Sequence, residues 1–123
     1  MLLYHYSDTK LNKITVSNFG KNSYTKNDTK YKISRSFFYT DKINKEKIVS
    51  GKFLHVANVD NKNIYNLNSD KDNLKHGCMY NDSLDIDKYL EAIKASYKGF
   101  IYDIGFECVC LFDTVDILEC MEC

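Results

Sequence analysis

Three short stretches carry the side chains able to do chemistry. They are Tyr4-His5-Tyr6-Ser7 near the start, Arg35-Ser36-Phe37-Phe38-Tyr39-Thr40-Asp41 in the first third, and GFECVCLFDTVDI, residues 105–117, near the end. Together they offer an imidazole, a run of aromatic rings, an arginine and a carboxylate. Neutral imidazole donates from one ring nitrogen and accepts at the other, so His5 either satisfies itself inside a core or holds a ligand. Each stretch also has an ordinary structural reading: a core histidine, a core aromatic triplet, and a glutamate at a solvated strand end. Cys108 and Cys110 lie in an apolar run and read as buried reduced thiols. A Cys–His nucleophile pair would need one of them to be reachable. Cys120 and Cys123 form a lone C-x-x-C, weak as a zinc signal without a second pair, so no metal is expected. No G-x-G-x-x-G, Walker loop or paired C-x-x-C set occurs.

The elements that must position these residues follow from alternation and spacing. Residues 2–7 read as a strand with Leu3, His5 and Ser7 on one face and Leu2, Tyr4 and Tyr6 on the other. Residues 36–40 form a short aromatic strand, and 52–59 alternate well as another. His55 on that strand reads as structural, and His76 as solvated. Residues 15–35 show no clean period and read as a long loop. A short helix is expected over 42–49. Residues 63–67 are extended, and Asn68 or Ser69 offers a helix cap. Ile86, Tyr89, Leu90, Ile93 and Tyr97 recur at spacings of three and four, predicting a helix over 86–97 capped by Asp85 and stopped near Gly99. Strands are expected at 100–104, 107–112 and 115–120, the second apolar on both faces and therefore central.

Composition narrows the class. The chain has 123 residues, 44% of them apolar and 14% aromatic, which argues for a globular chain and one domain over 1–123. The 17 basic and 17 acidic side chains cancel, so no overall surplus favours a polyanion. The basic residues Lys10, Lys13, Lys21, Lys26, Lys30, Lys32 and Arg35, set against Asp28, read as a solvated loop face. No signal peptide or membrane span is apparent, and five cysteines do not suggest a disulfide framework, so a soluble cytoplasmic protein is expected. Heavy use of Lys, Asn, Ile and Tyr with no proline suggests an AT-rich genome. The sum is a compact α+β domain, strand-rich, with few short helices.

Taken in order, the three stretches resemble the ADP-ribosyltransferase superfamily, in its histidine–tyrosine–glutamate branch of diphtheria-toxin-like and poly-ADP-ribose-polymerase-like enzymes. That family opens on a Y-H-G-T or Y-H-x-S strand, matched here by Tyr4-His5-Tyr6-Ser7. Its second motif falls on Phe37–Asp41, and its late E-Y-V-V-F-D strand and V-x-I strand fall on ECVCLFDTVDI, with Glu107 at the glutamate. The stretches IYNLNSDKDNL and YLEAIKASYKGFIYD are similar to small phage and mobile-element members of the superfamily. The resemblance implies a split β-sheet core and NAD as cofactor. Glu107 would be catalytic, stabilising a ribosyl cation that exists only in the transition state. His5, helped by Ser7, would hold the adenosine ribose. A ring of the second motif would stack on nicotinamide. Tyr39 is favoured over Phe38 as that ring; one residue of register flips the face, so only one of the two can serve. Arg35 would reach the pyrophosphate with its planar fork.

Tyr6 stands where the family has glycine. Gly105 stands where the arginine-specific branch has the first glutamate of its E-x-E pair. The implied function is transfer of ADP-ribose to a protein or nucleic-acid acceptor in a bacterial host cell, as a phage effector, toxin or anti-defence protein. The alternatives are an inactive binding module that inhibits a host complex, and an NAD glycohydrolase.

Overall fold

The computed structural model describes the backbone of residues 1–21, 28–42 and 51–122, and the side chains of 1–16, 33–42 and 51–122. The strands are β1 (Leu2–Ser7), β2 (Lys13–Ile14), β3 (Ser17–Lys21), β4 (Asp28–Tyr39), β5 (Phe53–Asn58), β6 (Ile64–Asn66), β7 (Met79–Tyr80) and β8 (Ser83–Leu84). A helix, α1 (Ile86–Lys94), is followed by β9 (Gly99–Asp103), β10 (Glu107–Leu111), β11 (Val115–Asp116) and β12 (Glu119–Glu122). A single 3-10 turn spans His76–Cys78. The fold is α+β, mostly strands with one α-helix among the described residues. No described helix is long and apolar enough to cross a membrane.

The main sheet runs β12-β5-β1-β4-β10-β9-β6, with β3 added to β4. All its pairings are antiparallel except β6 with β9. β1 pairs with β5 along its whole length, from Leu2↔Asn58 to Ser7↔Phe53. On its other side it meets β4 only at Tyr4↔Tyr39. The sheet therefore has a seam, with β12-β5-β1 on one side and β4-β10-β9-β6 on the other.

Alternation gives the sheet two buried faces. On one, Leu3, Phe38, Ala57, Val109 and Leu111 pack under Ile14 of β2. On the other, Tyr65, Phe100 and Cys110 pack against Tyr89, Leu90 and Ile93 of α1. The three helix residues recur at spacings of one and three on one stripe, and burying each stabilises by about 1.5–3 kcal/mol. Asp85 starts the helix by accepting the Lys88 N–H at 3.2 Å.

The helix ends earlier than its apolar spacing predicts. Lys94 closes it, and Tyr97 lies beyond, its ring 4.7 Å from that of Tyr65. Gly99 is the first residue of β9 rather than a helix stop. Residues 15–35, expected as a loop, hold β3 and most of β4. The two strands pair with each other as a ribbon, and a two-stranded ribbon needs no apolar alternation to show in the sequence. The expected strand 115–120 divides, because β11 pairs with β2 while β12 pairs with β5. No helix starts at Asn68 or Ser69. The chain turns there instead, with Asp70 and Asn73 at φ 43 and 53. The helix expected over 42–49 lies, from 43 on, outside the described residues.

Candidate functional site

His5 lies in the seam. Thr40 N–H turns toward β10, donating to Glu107 O at 3.2 Å, and backbone directions alternate along a strand. The carbonyl of Phe37 therefore turns toward β1. It meets the His5 ring, with Nδ1 at 2.7 Å. Carbonyls only accept, so Nδ1 carries the proton and Nε2 is the acceptor of the neutral ring. Burial pushes the His5 pKa down, the Phe37 bond opposes this, and nearby His55 adds to the lowering. The ring stands edge-on to Phe38, with centroids 6.0 Å apart.

Glu107 opens β10, exposed, opposite Asp103. Cross-strand pairs share a face, so the register Tyr4↔Tyr39↔Cys108 and Phe38↔Val109 sorts the predicted residues. His5, Ser7, Phe38 and Glu107 belong to one face. Tyr39 and Arg35 belong to the other. From about 4.8 Å between strands and about 3.4 Å per residue, His5 and Glu107 are on the order of 12 Å apart along the sheet.

The structure thus brings His5 and Glu107 to one face and leaves Tyr39 behind it. Tyr39 is one ring in an aromatic cluster, its centroid 5.0 Å from Phe37, 5.5 Å from Phe106 and 6.2 Å from Tyr6. Burial pushes its pKa up. Phe38 has the face expected of a stacking ring, but it is 0% exposed and belongs to the core. Ser7 Oγ accepts the Thr9 N–H at 3.2 Å and so shapes the turn that ends β1. Arg35 is half-buried beside the Cys110 thiol and Tyr102.

Cys108 and Cys110 are 0% and 2% exposed. Burial pushes their thiols up to about 11 and about 12, so neither is a ready thiolate. Cys120 is half-buried, and its C-x-x-C partner Cys123 lies outside the described residues. No group of three or more His, Cys, Asp or Glu that could hold a metal occurs among the described residues. His76 is exposed, as its polar surroundings suggest. A cavity of about 150 Å³ lies at the far end of β10 from Glu107, lined by residues that include Ile64, Lys98, Leu111 and Val115.

One residue near the site was legible only as structural. His55 is directly opposite His5 on β5 and 1% exposed, with both ring nitrogens engaged by backbone. Its place on the Phe53/Ala57 side of an alternating strand was visible; its pairing with His5 needed the β1–β5 register. Away from the site, on the α1 side of the sheet, Asp70 gathers the N–H groups of Leu74 and Lys75 and the hydroxyl of Tyr65. Comparison of the chain with protein-family models, with curated proteins and with solved structures finds no match.

Proposed function

We propose that this protein is an NAD-dependent ADP-ribosyltransferase acting on a macromolecular acceptor. The observation that carries the reading is that His5 and Glu107 share one sheet face across the β1/β4 seam. The gap of about 12 Å, built from strand spacings, is one that two riboses joined by a pyrophosphate can bridge. His5 Nε2, an acceptor in the neutral ring, takes a hydrogen bond from the adenosine ribose hydroxyl. In this reading the exposed Glu107 turns its carboxylate to the nicotinamide ribose. There it stabilises positive charge that develops only as the glycosidic bond to nicotinamide breaks. The acceptor, a protein or nucleic-acid group, then takes the ribosyl carbon and loses a proton.

A specific observation favours a second reading, a binding module on the same scaffold. Tyr39 faces away and Phe38 is 0% exposed, so neither ring offers a free face to a nicotinamide between His5 and Glu107. Such a module would act by contacting a partner.

One experiment separates the two. Purified protein is incubated with labelled NAD and bacterial lysate, beside the Glu107→Gln variant, and nicotinamide release is followed. Labelling of a lysate component by the wild type and not by Glu107→Gln supports the transferase and identifies the acceptor. Nicotinamide release with no labelled macromolecule points to hydrolysis, with water as acceptor. Neither label nor nicotinamide refutes turnover and leaves the binding module.

A further inference from the structure

His55 makes two hydrogen bonds that fix its protonation state. Leu11 N–H lies 2.9 Å from Nε2, and the carbonyl of His5 lies 3.1 Å from Nδ1. An amide N–H can only donate and a carbonyl can only accept. Nδ1 therefore carries the proton and Nε2 must be bare. A second proton on Nε2 would meet the Leu11 N–H donor to donor, inside a site where the residue is 1% exposed.

Among the described residues, the segment that this bond holds has few other polar fastenings. Asp8–Asn12 links β1 to β2, and among the described residues β2 has only the pairs Ile14↔Val115 and Lys13↔Asp116. Ile117 N–H reaches Asn12 O at a long 3.4 Å. The Lys13–Asp116 contact is 4.0 Å between exposed side chains and contributes little. Half-buried Leu11 and, just beyond the strap, Ile14 at 2% exposed are its apolar anchors, and the part-buried bond from Leu11 N–H to His55 is its polar one.

We propose that His55 is a proton-released latch: neutral, it pins the Asp8–Asn12 strap over the face that carries His5; protonated, it lets the strap go. The opening is local, because β4 and β10 are paired to each other on the far side of the seam and do not depend on Leu11. Release would uncover His5, whose ring centroid lies 6.2 Å from that of His55. The titratable groups around His55 are His5 on β1, Cys120 directly opposite on β12 with Glu122 two residues further, and Asp8 and Lys10 in the strap. The exposed carboxylates, Asp8 and Glu122, are the groups able to receive the freed cation. The latch does not require that the site turn over NAD.

Amide hydrogen exchange tests it, with protection factors corrected for the intrinsic pH dependence of exchange. As pH is stepped from neutral into the acid range, Leu11 protection should fall while Phe38 and Val109 keep theirs. Below the midpoint the fall should be about tenfold per pH unit, the slope of one linked proton. His55→Gln, whose side-chain oxygen can accept from Leu11 but takes up no proton, should abolish the fall. The wild-type imidazole nitrogen spectrum provides a readout that needs no variant. His55 should show the Nδ1–H tautomer at neutral pH, and its titration should coincide with the loss of Leu11 protection. Unchanged Leu11 protection, loss in step with Phe38 and Val109, the opposite tautomer, or the same fall in a folded His55→Gln protein would each overturn the latch.

Discussion

His5 and Tyr39 occupy neighbouring strands and face opposite sides of the sheet. The pair Tyr4↔Tyr39 fixes this, since Tyr39 shares its face with Tyr4 and His5 is the next residue along. The consequence is a division of labour within one aromatic triplet. Phe37 and Tyr39 build the ring cluster behind the seam, while Phe38 fills the core beneath the strap.

That division predicts how the two rings respond to mutation. Phe38 is 0% exposed among Leu3, Val109 and Ala57, so Phe38→Ala should cost about 3–5 kcal/mol through lost burial and a residual cavity. Tyr39→Phe keeps the ring contacts with Phe37 and Phe106 and should stay within about 1 kcal/mol of wild type. Urea midpoints of the two variants decide the matter. A larger loss in Tyr39→Phe than in Phe38→Ala would mean that the register is shifted by one residue.

Such a shift is what the sequence could not resolve. β1 was legible at its observed bounds because His5 and Tyr6 alternate within an apolar setting, and the start of α1 because Asp85 caps a run with apolar residues at three- and four-residue spacing. β5 and β10 were legible too, through alternation in one and a continuous apolar run in the other. The β3–β4 ribbon was not, since its pairing is set by backbone and leaves no period. Nor was the side of the sheet on which Tyr39 lies, because facing depends on which residue of β4 meets Tyr4, and that is a long-range fact. The stretch after β6 was misread, as a helix start capped by Asn68 or Ser69, for a related reason. A run of Asn, Ser and Asp signals side-chain capping of backbone N–H groups, and the capping is real, but it closes a turn and not a helix.

The His5 imidazole predicts a pH slope in stability. Its folded pKa lies below the ordinary 6.5, chiefly through burial. The unfolded chain then binds more protons over the interval between the two values. Stability contributed by neutral His5 is present in full above the unfolded value and is lost as pH falls through the interval, levelling below the folded value. His5→Asn keeps an N–H near Phe37 O and removes the titration. Urea midpoints across neutral to acid pH should fall more steeply for wild type than for His5→Asn. Equal slopes would assign the acid sensitivity to other groups.

Asp70 should matter to the turn beneath α1. Its carboxylate accepts Leu74 N–H at 3.1 Å and Lys75 N–H at 3.3 Å, and it receives the hydroxyl of Tyr65, which is 2% exposed. The Tyr65 bond is the main cause holding its pKa below the usual carboxylate value. Stability from this group is therefore present above the unfolded value of 3.8 and is lost as pH falls through the lower folded one. Asp70→Ala should cost about 1–3 kcal/mol, from lost bonds and a stranded tyrosine hydroxyl. It should also raise exchange of the Leu74 and Lys75 amides before that of β10. Unchanged exchange at those two amides would refute the assignment.

Gly99 supplies the last prediction, and it concerns the strand that supports Glu107 from the other side. β9 pairs with β10 from Gly99↔Leu111 to Asp103↔Glu107, so the position of Glu107 depends on how closely these strands approach. A Cβ on Gly99 would lie 2.2 Å from the carbonyl oxygen of Cys110 and 2.7 Å from Cδ2 of Leu111. The leucine methyl can swing aside, but the carbonyl belongs to a backbone already committed to the ladder. Gly99→Ala must therefore push β9 outward at its first pair, at a cost of about 3 kcal/mol, the upper end for overpacking a close contact. The neighbouring pair Phe100↔Cys110, which holds the face under α1, should loosen with it. Equilibrium unfolding gives the stability, and amide exchange at Phe100 and Cys110 locates the damage. A variant as stable as wild type would mean that β9 and β10 do not approach so closely at Gly99.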